Sequence, residues 1–268
     1  MPLSLKTPAN NRQKLPIFLG VWTGITYLFL YLPIFVLIIL SFNNSPILSL
    51  PWRGMTGKWY SLAFSDRPLM DSLGNSLQVA AAATLLATGF GLLTAWAIYR
   101  YQFLGRNALR IAVNLPILLP GVVTGVAMLA YFSSLDLPLS LVTVALGHGI
   151  FGLPVVMGSI LARLTQFPVS LEEAAADLGA KPGRIFRDII FPYISSAVIS
   201  GALLAFTLSF DEVIVTIFLT GRDNTLPLEI WARLRTDITP EIAAAATLVL
   251  LGSSVFILLN QLVAKRDY

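Results

Sequence analysis

Long apolar runs alternate with short polar segments along most of the chain. Each run holds at least roughly the 20 residues that an α-helix needs to cross a hydrocarbon core about 30 Å thick. A polar and aromatic segment at residues 43–75 separates the first two runs and is predicted to be a loop. We therefore predict an all-α integral membrane protein with six transmembrane helices, at residues 15–42, 76–99, 111–132, 140–164, 194–220 and 242–263.

The segment Ser170–Tyr193 is the longest polar interruption in the second half of the chain and predicts a helical hairpin. Ser170 followed by Glu173 is typical of a capping box, which places the start of the first helix at Ser170. Gly179 stands where a left-handed cap ends such a helix. Apolar positions in between recur at i, i+3, i+4 and i+7 and predict one stripe, formed by Leu171, Ala174, Ala175 and Leu178.

A second short helix is predicted after Gly179. Pro182 suits its first turn, because proline lacks the N–H that this position leaves unbonded. Pro192 is predicted to end the helix before the next apolar run. One side of this helix is apolar and carries Ile185, Phe186, Ile189 and Ile190. Two short amphipathic helices thus connect two spans, and their exposed apolar stripe requires a partner.

Composition agrees with the pattern of spans. Hydrophobic residues make up 56% of the chain and charged residues only 12%, about half the charged share of an average soluble domain. The net charge of +4 does not indicate nucleic-acid binding, because basic residues are scattered at the ends of spans. The chain has no cysteine, which excludes disulfides, thiol catalysis and cysteine-ligated metals.

The basic residues also predict the orientation of the spans. Six spans place both termini on one side of the membrane, and twelve of the 18 Lys and Arg residues fall on that side. Since such residues are enriched in cytoplasmic loops, both termini and the hairpin are predicted to be cytoplasmic. The twelve are Lys6, Arg12, Lys14, Arg100, Arg106, Arg110, Arg163, Lys181, Arg184, Arg187, Lys265 and Arg266.

Asp211 and Glu212 are the only acids predicted within a span. An Asp at the centre of such a helix costs roughly 2.5–3.5 kcal/mol on insertion scales, so these acids should face a cavity or a partner. One interpretation is a pathway that attracts cations. The alternative is that an acid pairs with a polar group of a neighbouring helix or reaches outer water. Both acids can line one pathway only where the helix is locally unwound, because adjacent helical positions point about 100° apart.

Three further polar residues within spans were considered. Thr124 and Tyr131 could line a pathway, although the sequence does not indicate which way they face. His148, the only histidine, stands between two glycines and has no acid or cysteine at a ligand spacing, so no metal site is predicted. We interpret it as a hydrogen-bonded packing residue between helices.

No catalytic motif supports an enzyme. The chain has no phosphate-binding loop, no H-E-x-x-H and no G-x-S-x-G. No catalytic or nucleotide-binding site is therefore predicted in this chain.

The hairpin resembles the permease signature of binding-protein-dependent ABC importers. The matches are the Glu-Ala-Ala triplet, a glycine, an isoleucine and a proline, with Phe191 in place of a leucine: Glu173, Ala174, Ala175, Gly179, Ile189 and Pro192. The resemblance implies that the loop at about residues 165–192 is the coupling helix, which docks into a groove of a cytoplasmic ATPase. A helix laid in a groove is a common mode of recognition.

Further stretches, among them SFNNS, HGIFGLPVV and SFDEVIVTIFLTG, resemble the second permease subunit of spermidine/putrescine-type importers. This resemblance implies the type I importer fold for a single permease domain at residues 1–268, located in the cell inner membrane. It also implies an ATPase pair that binds ATP and Mg, a second homologous permease and an external binding protein, with no cofactor in this chain. An acidic pair recurs there at the position of Asp211 and Glu212.

One departure leaves the substrate open. Where those permeases often carry an acidic residue after the proline of span three, this chain has Pro120-Gly121. A polyamine is the expected substrate, and a metal cation, another amine or a phosphonate are alternatives. A membrane-embedded enzyme and an ion channel working alone are more distant alternatives.

Overall fold

The computed structural model describes residues 14–236 and 239–264. Within these residues the regular elements are helices, in the order α1 Lys14–Ser41, α2 Lys58–Ser65, α3 Arg67–Arg100, α4 Arg106–Leu118, α5 Gly121–Ser134, α6 Leu141–Leu164, α7 Val169–Asp177, α8 Pro182–Ile185, a π turn Phe186–Ile190, α9 Phe191–Asp211, α10 Ile214–Leu219, α11 Leu226–Leu234 and α12 Pro240–Ala264.

The spans predicted from hydropathy are present, with one important difference. In the described part of the chain, five helical stretches are long and apolar enough to cross a membrane: α1, α3, α6, the continuous stretch from α8 to α9, and α12. The predicted third span is instead the pair α4 and α5, bent by 111°. Six spans result if this pair is taken as one broken span.

The bend of the third span lies at Leu119–Pro120. Leu119 is extended, with φ −85° and ψ 148°, and Pro120 precedes the first residue of α5. The residue before a proline is pushed out of the helical region by the proline ring, which explains why α4 ends there. Pro116, in contrast, is accommodated inside α4.

The predicted fifth span, residues 194–220, is also interrupted. Helix α9 ends at Asp211, Glu212 is extended with φ −75° and ψ 122°, and α10 begins at Ile214. The two acids therefore lie at a break between two helices rather than within one.

The segment predicted as the longest loop, residues 43–75, is partly helical. It contains α2 and the first turns of α3, which begins nine residues earlier than predicted. Asp66 starts α3, since its Oδ1 accepts a hydrogen bond of 2.9 Å from the Leu69 N–H. An aspartate at this position satisfies one of the unpaired donors at a helix start.

Helices α3, α6 and α9 form the centre of the bundle. Small residues of α3 are almost fully buried there: Ala80, Ala83, Ala87 and Ala95. At Gly201 of α9, a Cβ atom would lie 3.1 Å from the Cα of Val156 in α6, so the two backbones are nearly in contact. Small residues permit this close approach of neighbouring helices.

Candidate functional site

The first helix of the hairpin starts differently from the prediction. Helix α7 begins at Val169, with Pro168 before it and no side-chain cap, so the capping box predicted at Ser170 is wrong. Ser170 lies in the first turn instead. Pro168 explains the shift, because a proline is compatible with a helix start and its carbonyl accepts a hydrogen bond of 3.1 Å from the Leu171 N–H.

The predicted end of this helix is confirmed. Gly179 has φ +82°, and its N–H donates to the Ala176 carbonyl at 2.9 Å. Glycine occupies this left-handed conformation without the penalty that a Cβ atom brings. The turn leaves the preceding Leu178 89% exposed.

The apolar stripe of α7 is only partly buried: one of its residues faces the bundle and the others face outward. Ala175 is buried in the same core cluster as Leu164 and Ile185. Leu178 and Ala174 are exposed, as are Glu173 and Leu171, the last at 48%. The stripe therefore attaches the helix to the bundle through one residue and presents the remaining ones outward.

An ion pair ties α7 to the end of α3. The Nη2 atom of Arg100 lies 2.8 Å from Oε1 of Glu172, and Arg100 Nη1 donates to Oε2 at 3.2 Å. The Glu172 side chain is only 16% exposed. The local sequence does not indicate this contact, since the partner of Glu172 lies 72 positions away.

The second half of the hairpin continues directly into a span. Pro182 opens α8 as predicted, but Pro192 does not end the helix, and residues Pro182–Asp211 form one continuous helical stretch. The π turn Phe186–Ile190 explains the continuity. A proline in a regular α-helix clashes with the carbonyl four residues before it. In the wider π turn the Phe191 N–H bonds to the Phe186 carbonyl, and this wider turn makes room for the ring of Pro192.

The apolar side of this second half faces the bundle. Ile185 and Ile190 are buried, and Phe186 packs edge-on against Trp96 of α3 with ring centroids 4.9 Å apart. The expected exposed stripe is thus limited to α7.

Asp211 and Glu212 point to different neighbours at the break. Asp211 is exposed and accepts a hydrogen bond of 3.0 Å from Ser253 of α12. Glu212 is half-buried, and its Oε1 accepts from the Val215 N–H at 3.0 Å, so it caps α10. Within the described residues neither acid has a basic partner. The backbone is unwound at Glu212, which is the condition for both acids to line one pathway. Asp211 also pairs with a polar group of a neighbouring helix, Ser253, as the alternative interpretation expects.

His148 lies beside the same break, 3% exposed. Its Nδ1 is 2.9 Å from Oγ of Ser209 in α9, and its Nε2 is 2.9 Å from Oγ1 of Thr216 in α10. The interpretation as a hydrogen-bonded packing residue between helices agrees with this arrangement. The described residues contain no cluster of His, Cys, Asp and Glu that could hold a metal ion.

Thr124 and Tyr131 both lie on α5 but in different surroundings. Thr124 is buried, with Oγ1 3.5 Å from the carbonyls of Pro116 and Pro120 at the bend of the third span. Tyr131 is 62% exposed. Position 121 lies close to the acidic pair, since a Cβ atom there would be 3.4 Å from Cγ2 of Ile214 at the start of α10.

An ion cluster at the opposite end of the bundle from the hairpin was not predicted. Arg233 of α11 donates two hydrogen bonds, of 2.8 and 3.0 Å, to the carboxylate of Asp66, and a third of 2.8 Å to Glu229. The hydrogen bond from Arg233 holds the pKa of Asp66 below its usual value. Asn224 completes the cluster by donating to Glu229 at 2.9 Å. Asp66 precedes Arg67 and Pro68, a pattern typical of a helix start, so its role as a cap could have been predicted. Nothing in the local sequence indicates that its basic partner is Arg233.

Sequence comparison identifies relatives over nearly the full length. The spermidine/putrescine transport system permease protein PotC of Escherichia coli (strain K12) is 38% identical over 247 residues, which cover 92% of this chain and 93% of the relative. The putrescine transport system permease protein PotI of the same strain is 36% identical over 250 residues, 89% of each chain. The probable sulfate transport system permease protein cysT of Chlorokybus atmophyticus is 30% identical and covers 71% of this chain and 74% of the relative.

Solved structures share the fold. A bacterial ABC transporter involved in the import of the acidic polysaccharide alginate matches with a TM-score of 0.69 at 16% identity, over 100% of both chains. The MetNI methionine ABC transporter in inward-facing conformations matches with a TM-score of 0.60 at 14% identity, over 80% of this chain and 100% of that one.

A family model describes the same class of protein, since residues 87–266 match the binding-protein-dependent transport system inner membrane component. This range includes the hairpin, both acids and His148. The predicted fold class and the resemblance to importer permeases are confirmed. The chain belongs to the family of binding-protein-dependent transport system inner membrane components, the permease subunits of ABC importers, and is a transport subunit rather than an enzyme.

Proposed function

We propose that this chain carries polyamines across the cell inner membrane, as one of two permease subunits driven by a separate ATPase pair. The identity of 36–38% to spermidine/putrescine and putrescine permeases over about nine-tenths of the chain supports this substrate class. The sulfate permease relative is more distant, at 30% identity over a shorter region.

The observation that carries the transport mechanism is the exposed side of α7. Leu171, Leu178 and Glu173 project from the bundle although the buried Ala175 and the Glu172 ion pair hold the helix in place. A fixed helix with an exposed apolar face suits docking in a groove of the ATPase. ATP and Mg would be bound by that partner, and the left-handed Gly179 would form the turn that ends the docking helix.

The substrate would pass the break in the fifth span. Two carboxylates at this break, which have no basic partner among the described residues, would attract a polycation by charge. The unwound backbone at Glu212 allows both acids to serve one pathway, to which Thr124 and Tyr131 of the neighbouring α5 would contribute. An external binding protein would deliver the substrate from the side opposite the hairpin. In this orientation the hairpin and both termini are cytoplasmic, as the distribution of basic residues predicts.

Transport assays test the proposal directly. The complex that co-purifies with a tagged copy of this chain is reconstituted into liposomes, and uptake of labelled spermidine, putrescine, sulfate and a divalent metal cation is measured with and without ATP. We expect polyamine uptake that requires both ATP and the binding protein. Uptake of another solute without polyamine uptake would refute the substrate, and ATP-independent flux would refute the importer mechanism.

A second candidate is an importer of the same type for another small solute. Gly121 favours it, because the acid that often stands there in polyamine permeases is absent and the position faces Ile214, next to the break. The panel of solutes in the same assay separates the two candidates.

A further inference from the structure

The break between α9 and α10 is spanned by a single side chain from another helix. His148 of α6 contacts Ser209, two residues before Asp211, and Thr216, four residues after Glu212. Its two ring nitrogens therefore bond to hydroxyls on opposite sides of the unwound segment.

The hydroxyl of Thr216 sets the direction of the hydrogen bonds. It donates its proton to the Glu212 carbonyl at 2.9 Å, so it must accept from the imidazole Nε2–H. In the neutral imidazole the remaining Nδ1 carries no proton and accepts from the Ser209 hydroxyl. The result is a directed chain of three bonds, from Ser209 through His148 and Thr216 to the backbone of Glu212.

Close packing holds the imidazole in this position. On either side of His148, α6 carries glycine, and a Cβ atom at Gly149 would lie 3.1 Å from Cβ of Leu86 in α3. At Gly147, a Cβ atom would meet the side chain of Leu219 in α10. These glycines let α3 and α10 approach α6 closely on both sides of His148, whose side chain is buried.

We propose that His148 is a positioning residue, which fixes the break so that Asp211 and Glu212 are presented together to the substrate. The inference rests on the proposed passage of cations at this pair. Without the imidazole, the Ser209 hydroxyl loses its partner and Thr216 loses its donor. Residues 209–216 can then close toward a continuous helix, in which adjacent side chains point about 100° apart and one acid leaves the pathway.

The absence of cysteine from this chain provides a test that does not depend on transport. Asp211→Cys introduces one thiol, and mass spectrometry of this chain in the assembled complex measures its rate of modification by a cationic, membrane-impermeant thiol reagent. With His148→Phe added, we expect the rate at residue 211 to fall about fivefold to tenfold, the population change that follows the loss of one or two buried hydrogen bonds. Thr216→Val should act in the same direction, and Thr216→Ser, which keeps the hydroxyl, should restore the rate.

Thr143→Val is the matched control. Thr143 is also a buried residue of α6, and its hydroxyl lies 2.8 Å from the Leu219 carbonyl at the far end of α10 and 2.7 Å from the Ser140 carbonyl. A similar loss of thermal stability without a change in the rate at residue 211 is expected. An unchanged or raised rate in the His148→Phe variant, or an equal decrease in the Thr143→Val variant, would overturn the inference. If the thiol introduced at position 211 is not modified even with His148 intact, the proposed pathway fails instead, so the two failures are distinguishable.

Discussion

The Asp66–Arg233 contact gives a stability prediction whose parts can be separated. Asp66→Ala removes the cap of α3, worth about 1 kcal/mol. It also removes a two-point ion pair whose side chains are 22% and 23% exposed. Such a pair contributes about 1–3 kcal/mol, between the values for exposed and buried pairs. We expect the free energy of unfolding to fall by about 2–4 kcal/mol. Asp66→Asn keeps an oxygen acceptor for the cap and should lose only the ion-pair part.

Thermal unfolding of the protein in detergent, followed by circular dichroism, measures both variants. A double-mutant cycle with Arg233→Gln isolates the pair itself. The pKa of Asp66 in the folded protein lies below its usual 3.8, chiefly because of the hydrogen bond from Arg233. A lowered carboxyl pKa means that this stabilisation is complete at neutral pH and is lost as the pH falls below about 4. The difference between the wild type and Asp66→Asn should therefore shrink in acid.

A coupling energy near zero in the cycle would refute the assigned ion pair. Equal destabilisation by Asp66→Asn and Asp66→Ala would refute the separate cap. A difference that grows at low pH would contradict the sign of the pKa argument.

Three further predictions concern the hairpin and the core. Leu178→Asp should reduce co-purification of the ATPase at least about tenfold, because it places a charge in an apolar contact. Leu104→Asp is the control and should leave co-purification unchanged, since Leu104 is also highly exposed but lies between α3 and α4. Arg100→Gln should lower substrate-stimulated ATP hydrolysis by about twofold to fivefold, the size of one surface ion pair, measured in liposomes. Gly201→Ala should lower the unfolding free energy by about 1–3 kcal/mol through overpacking, whereas Gly158→Ala, with no atom within 4 Å of the new Cβ, should not destabilise.

The parts of the fold that depend on local sequence could be predicted. Apolar runs indicate the spans because each helix must satisfy its own backbone in lipid. Gly179 indicates the end of α7 because glycine adopts the left-handed conformation without a steric penalty. The triplet Glu173, Ala174 and Ala175 marks the hairpin by residue type and spacing.

Other features are not indicated by hydropathy and residue spacing alone. Pro192 would normally end a helix, and only the π turn before it reverses that expectation. The breaks at Pro120 and Glu212 lie inside apolar runs, so hydropathy alone predicts continuous helices. Arg233 is 167 positions from Asp66, and this pair carries no signal in the local sequence.

Because α8, the π turn and α9 form one continuous helical stretch, a movement at its hairpin end is transmitted to its other end. Its 30 residues extend from the hairpin to Asp211, a length of about 45 Å at about 1.5 Å per residue. If the docked end is tilted by about 5°, the far end moves by about 4 Å, which is comparable with the width of an extended polyamine chain. A small rotation imposed on α7 by the proposed ATPase partner would therefore reach the carboxylates at the break through this stretch, with only the turn at residues 178–181 between α7 and α8.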